Sequence, residues 1–432
     1  MAADGASPLN PGVARREVVA WAMYDFANSG YTTVVLTAVF NAYFVATVAG
    51  NAPWATLAWT LALAVSYAAV MAVGPVVGAW ADGHAAKKRA LAWSTVFCVA
   101  GTALLAKAGP GDVAWAVAFV VVSNVAFALG ENLTAAFLPE LARPDALGKV
   151  SGWGWSLGYF GGILALALCL AWVLGAPVRG ATTAEAVPGT LLITAGVFAL
   201  ASLPTFLLLR ERAVPVPPQA RESHAFARLA RSAKESAAYR DLLAVFACGT
   251  FYQAGVATVV ALAAIYAQQV MGFETRDTIL LIIAVNLTAA AGAFAFGYAQ
   301  DRIGKVAALR FTLYGWIAMV VVAYFASTAP VFWVAANLAG LCMGSSQSAG
   351  RALVAYFSPP ERSGEFFGMW GVATRLASIL GPVTYGAVTW MTGGNHRLAI
   401  LATGIFFVAA IACLVAVDEK RGRATALAGG RR

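Results

Sequence analysis

Residues 78–89 read GAWADGHAAKKR, and residues 297–305 read GYAQDRIGK. Both are Gly-x-x-x-Asp followed by bases, with Gly78, Asp82 and Arg89 in the first and Gly297, Asp301 and Arg302 in the second. Each closes a long apolar stretch, and self-similarity at a fixed offset is the mark of an internal repeat. The match continues outward from the two turns. Asp25-Phe-Ala-Asn28-Ser-Gly30 is answered by Thr250-Phe-Tyr-Gln253-Ala-Gly255, and Gly152-Trp-Gly154 by Gly368-Met-Trp-Gly371. Three matches in register divide the chain into two like halves.

The stretches between the turns decide the solvent. Hydrophobic residues make up 60% of the 432 residues, charged residues 11%, and mean hydropathy is +0.74. A soluble domain carries about 25% charge, and disorder needs still less apolar content. The chain therefore reads as a polytopic membrane protein. Taking about 20 apolar residues per span and breaks at Gly50-Asn51-Ala52-Pro53 and Ser327-Thr328-Ala329-Pro330, twelve helices are expected. They lie near 19–48, 55–81, 90–107, 113–138, 149–174, 187–209, 241–270, 277–300, 308–326, 331–356, 364–391 and 397–417. The expected fold is an all-α integral membrane protein, with two six-helix bundles related by a pseudo-two-fold axis. Its bundles cover 19–209 and 241–417, flanked by a tail at 1–18, a central loop at 210–240 and a basic tail at 418–432.

Lys and Arg in short loops set orientation. With both termini cytoplasmic, the inside receives Arg15, Arg16, Lys87, Lys88, Arg89, Arg143, Lys149, Arg302, Lys305, Arg310 and Arg362, whereas the outside receives Lys107, Arg179, Arg276 and Arg397. In the central loop Phe226, Leu229, Ala230, Ala233 and Ala237 share a helical face opposite Arg228, Arg231 and Lys234, the pattern of a surface-lying amphipathic helix; a solvated linker helix is the plainer reading. The net charge of +9 is spread over these loops and is no nucleic-acid footprint. Arg15 and Arg16 precede an apolar stretch, but Asp25 and Asn28 interrupt it, so a retained first span is expected rather than a cleaved signal. Five scattered cysteines without a CxxC indicate neither disulfides nor zinc. No HExxH, nucleotide-binding loop or catalytic triad is present, so no catalytic residue, metal or cofactor is expected.

The two turns look like the loop motif of the major facilitator superfamily. Within it, WAMYDFANSGYTTVVLTAVF from Trp21, LPELA at 138–142, WSLGYFGG at 155–162 and GSSQSAGRALVAYFSPPERSGEFFGMWG at 344–371 resemble the Unknown Major Facilitator family. That family is similar to the autophagy-related vacuolar amino-acid effluxers. The first turn departs from the motif at Gly83, where a base is usual, and GENLTAA before LPELA departs from the family pattern. The resemblance implies a transporter, with amino acids as solutes by analogy.

Four charges fall inside the expected spans: Asp25, Glu131, Arg351 and Arg375. A charge at a helix centre costs roughly 2.5–3.5 kcal/mol even on a lenient scale, which makes each a functional candidate. Both acids belong to the first half and both arginines to the second, so the halves would face each other across a cavity with opposite charge. Expected substrate-binding residues are Asp25, Asn28, Gln253, Gln347, Trp370 and Arg375, with Arg375 deepest, Gly371 leaving room beside it and Trp370 walling it. Asp25 and Glu131 are the proton-coupling candidates, Glu131 and Arg351 a cavity ion pair, and the two Gly/Asp turns a gate. The plainer readings are helix-end ion pairs or snorkelling for Glu131 and Arg351, a brace for Asp25, and for Arg375 an ion pair across the cavity with Asp25 or Glu131. The expected function is secondary transport of a small polar or zwitterionic solute by alternating access, an amino acid among the candidates, with H+ as coupling ion. Expected partners are that solute and membrane lipid, the expected state is a monomer, and the expected location is the plasma (inner) membrane if the source is bacterial. A polytopic membrane enzyme, a lipid scramblase or a transport-dead sensor are the alternatives.

Overall fold

The computed structural model describes residues 7–215, 239–273 and 275–429; the amphipathic segment expected in the central loop lies outside them. Among the described residues the protein is all-helical, with a single isolated bridge between Leu9 and Ala142. The helices are α1 (Arg15–Val48), α2 (Ala55–His84), α3 (Lys87–Leu105), α4 (Val113–Ala135), α5 (Leu147–Leu174), α6 (Thr183–Leu208), α7 (Arg240–Gln269), α8 (Thr275–Ile303), α9 (Lys305–Phe325), α10 (Ala329–Phe357), α11 (Ser363–Met391), α12 (His396–Val415) and α13 (Glu419–Gly429). Eleven of the described helices are long and apolar enough to cross a membrane. The helix α3 falls outside that set because its first turn is Lys-Lys-Arg.

Helices satisfy their backbone polar groups internally, which is why apolar segments in lipid adopt them. Their outer faces carry unpartnered apolar stripes such as Leu57, Leu61 and Val65 on α2, all exposed. Two stretches of α1, Thr32–Ala38 and Phe44–Val48, are wound as wide-turn π-helix. Such turns leave a bend where a regular helix would run straight. The break before α2 uses positive φ at Gly50 and Asn51.

In the first half α1 packs on α5 and α6, α2 on α4, and α3 on α4 and α6. In the second, α7 packs on α11 and α12, α8 on α10, and α9 on α10 and α12. Across the halves α2 meets α11, α5 meets α8 and α10, and α4 meets α11. The starts of α1, α3, α5, α7, α9 and α11 gather at one end with most of the Lys and Arg, called here the basic end. There α13 folds back as a helix onto α7 and α10, and buries Ala426.

Candidate functional site

Two aspartates cross between the halves at the basic end. Asp82, near the end of α2, accepts the Gly364 and Glu365 N–H groups at 3.0 and 2.8 Å. Asp301, near the end of α8, accepts the Gly148 and Lys149 N–H groups at 3.0 and 2.8 Å. Each carboxylate thus sits on the first turn of a helix from the opposite half, where free N–H groups and the helix dipole favour an anion. Close backbone approach makes this reachable: a Cβ on Gly78 would fall on the Gly364 carbonyl, and one on Gly152 on the Ala293 carbonyl, beside Gly297.

The base that joins the first aspartate is Lys87. Its Nζ lies 3.7 Å from Asp82 and 2.5 Å from Glu140, and donates to Ser363 Oγ at 3.0 Å. Lys305 Nζ lies 3.6 Å from Asp301 and stands over the Tyr356 ring. Arg89 and Arg302 are exposed, and Arg89 stacks on Trp80 instead. Lys87 and Arg89 are about 200° apart around a helix, so only one of them faces the seam. A signal for the lysines was present, since both follow the aspartates within one further turn, at Asp82/Lys87 and Asp301/Lys305. Glu211 and Glu419 were not foreseen. Glu211 accepts the Lys87 and Lys88 N–H groups, and Glu419 those of Lys305 and Val306, so each carboxylate caps the third helix of its half. Arg212 with Glu17 and Arg421 with Asp241 then repeat an ion pair in both halves, at 2.9 and 2.7 Å.

Deeper in, all four intramembrane charges are paired across the halves. The expected pairing of Glu131 with Arg351 does not occur. Arg351, on α10, faces α1 and α5: its Nη1 is 2.6 Å from Asp25, while Nε and Nη2 donate to Ser151 Oγ and the Ser151 carbonyl at 3.1 and 2.7 Å. Trp21 and Trp155 flank its guanidinium. Glu131, on α4, faces α11, and its Oε2 lies 2.6 Å from Arg375 Nη2. The walls around Arg375 are Tyr67 and Phe127. Trp370 is not one of them. It is turned into the second half, where it packs on Phe246, Tyr252 and the Gly249 backbone. The room beside Gly371 is filled by Asn132. Gln253 and Gln347 join α7 to α10 through reciprocal amide bonds of 2.7 and 3.2 Å.

Several polar atoms here are buried without a hydrogen-bond partner: Arg375 Nε, Asn28 Oδ1, Trp155 Nε1 and Asn132 Nδ2. Buried polar groups are normally satisfied, so each of these unpaired atoms is open to a water or a bound solute. The Glu131 side chain keeps 37% of its surface exposed against 15% for Asp25, so the Arg375 pair is the more accessible of the two.

A family profile described as "Vacuole effluxer Atg22 like" matches residues 146–427. The chain belongs to this Atg22-like family. It is 27% identical over 407 residues to the uncharacterized MFS-type transporter YxiO of Bacillus subtilis, covering 93% of this chain and 94% of that protein. To autophagy-related protein 22-1 of Aspergillus niger it is 22% identical over 326 residues, 70% of this chain. It spans about half the length of such fungal relatives, 52% in this case. The fold matches that of the human organic anion transporter MFSD10 with a TM-score of 0.72 at 16% identity, over 93% of this chain and 99% of that one. The Atg22-like chain is thus a multi-pass membrane transporter of the major facilitator fold, and these relatives are transporters rather than enzymes.

Proposed function

We propose that the protein is a secondary active transporter that moves a small polar or zwitterionic solute, with amino acids the leading class, by proton-coupled alternating access. In this reading α1–α12 are twelve spans in two six-helix bundles, related by a pseudo-two-fold axis. The basic end and both termini are cytoplasmic, the membrane is the plasma (inner) membrane if the source is bacterial, and the working unit is a monomer. The observation that carries the reading is Arg375. Its guanidinium is buried, held on one side by Glu131, and its Nε has no partner. A solute carboxylate can take two parallel N–H donors from this fork, which is stronger and more directional than one. In doing so it displaces Glu131, whose freed carboxylate accepts a proton. Asn28 and Trp155 supply further polar contacts for the rest of the solute. The Asp82 and Asp301 contacts act as latches that hold the cytoplasmic end shut while the opposite end is open.

The test combines binding and flux on one preparation. A metabolite library is screened for thermal stabilisation of the purified protein, since a ligand that binds the native state raises its apparent stability. Hits are then followed as uptake into proteoliposomes under a pH gradient. A carboxylate-bearing hit is expected to bind wild type and to lose affinity in Arg375→Lys, whose ammonium cannot reproduce the fork. Unchanged affinity together with a large drop in melting temperature would make Arg375 architecture. Binding with no flux would make the protein a sensor, and product formed without a gradient would make it an enzyme.

A further inference from the structure

Arg89 belongs to the first charged turn, yet the latch does not use it. Its guanidinium stands 5.1 Å from the Trp80 ring, and His84 stacks on the same ring. His84, Lys88 and Arg89 line a groove of about 480 Å³ at the basic rim, bounded by Ala92, Phe206 and Glu211. Glu211 is turned to the start of α3, where both its oxygens accept backbone N–H groups. Lys88 Nζ donates to the Leu209 carbonyl and has no carboxylate partner among the described ion pairs. Two cations therefore face one committed carboxylate at the mouth of the groove.

Below the cations the surface turns apolar. Arg89, Trp93, Val96 and Phe97 share one face of α3 by i, i+4, i+7 and i+8 spacing. Trp93 and Phe97 are exposed at 60% and 53%, and their rings touch. On the neighbouring α6, Leu203 and Leu207 are exposed as well. A cationic rim beside exposed apolar side chains on two neighbouring helices has the polarity of one ligand class. A free anion would use only the rim, and a neutral lipid only the apolar side chains.

We infer that this groove is a binding site for an anionic phospholipid. The headgroup phosphate sits on Arg89 and Lys88, and an acyl chain runs down the α3–α6 track over Trp93 and Phe97. The ligand borders the short turn between Asp82 and Lys87, the two residues that meet at the first latch.

Native mass spectrometry of the full chain in detergent tests this, with palmitoyl-oleoyl phosphatidylglycerol and the phosphatidylcholine of the same chains as probes. Phosphatidylglycerol is expected to bind saturably and more tightly than phosphatidylcholine. Arg89→Ala is expected to weaken phosphatidylglycerol about fivefold, the worth of one interfacial base, with an unchanged melting temperature because Arg89 is exposed. Arg143→Ala, which removes another base at the same end, half-buried and paired with Asp145, is expected to change nothing. Three results would overturn the inference: wild-type phosphatidylglycerol affinity in Arg89→Ala, equal weakening by Arg143→Ala, or full displacement of the lipid by inorganic phosphate, which would assign the rim to a free anion.

Discussion

Arg351 commits three nitrogens, to Asp25 and to both the hydroxyl and the carbonyl of Ser151, whereas Arg375 commits one, to Glu131. The difference separates their expected roles. Arg351→Ala strands the largely buried Asp25, and breaking a buried pair from one side costs about 3–5 kcal/mol. Its melting temperature is expected to fall well below that of Arg375→Ala, whose partner Glu131 retains access to solvent; equal losses in a thermal melt would make the two pairs equivalent. Glu131→Gln is expected to keep solute exchange but to lose accumulation driven by a pH gradient. Accumulation that persists in the double variant Asp25→Asn/Glu131→Gln would move the coupling away from both acids. At this scale the sequence was half legible. Four charges in apolar spans stand out against lipid, and all four turn out to be paired. Which acid meets which arginine was not legible, because it depends on how helices far apart in the chain are rotated toward each other. The same rotation turned Trp370 away from Arg375 and put Lys87, not Arg89, on the seam.

The α2–α11 seam is built from small residues, with Gly74 and Gly78 against Gly364 and Gly368. A methyl group at Gly78 meets the Gly364 and Glu365 backbone rather than a side chain that can move aside, so the helices must separate to admit it. Gly78→Ala is therefore expected to open the basic end. In a background with the five native cysteines replaced, a cysteine at the buried position Ala135 should then label several-fold faster with an impermeant thiol reagent applied from the basic side. Gly196→Ala, at a position with open space around it, should leave labelling unchanged. Equal rates in Gly78→Ala and the parent would show that the seam tolerates the methyl. Helix boundaries themselves were well legible. Spans expected at 331–356 and 364–391 are found as Ala329–Phe357 and Ser363–Met391, because bilayer thickness sets the apolar length. The helix α13 was not legible. Its composition is that of a basic tail, and its order comes from the cap by Glu419 on α9, the Arg421–Asp241 pair and the burial of Ala426.

For the molecule as a whole, the repeat of charged turns was the most informative part of the sequence, since it implied two equivalent contacts before any distance was known. The structure places both at one end, each running from one half to the other. Asp82→Asn and Asp301→Asn are each expected to shift the conformational balance toward opening of the basic end, and the double variant to shift it further than either. Double electron–electron resonance between labels on the two halves reads this directly, and a distance distribution in the double variant identical to wild type would remove the latch role. The donors of both latches are main-chain N–H groups, whatever side chain stands at 149 or 365. Sequence drift can therefore erase a latch from one side only. Among divergent members of the family, the aspartates matching Asp82 and Asp301 should be held while the residue matching Lys149 wanders, provided Gly148 and Gly364 leave space for the approaching carboxylates; Glu365 is held on its own account, buried and paired with Arg362.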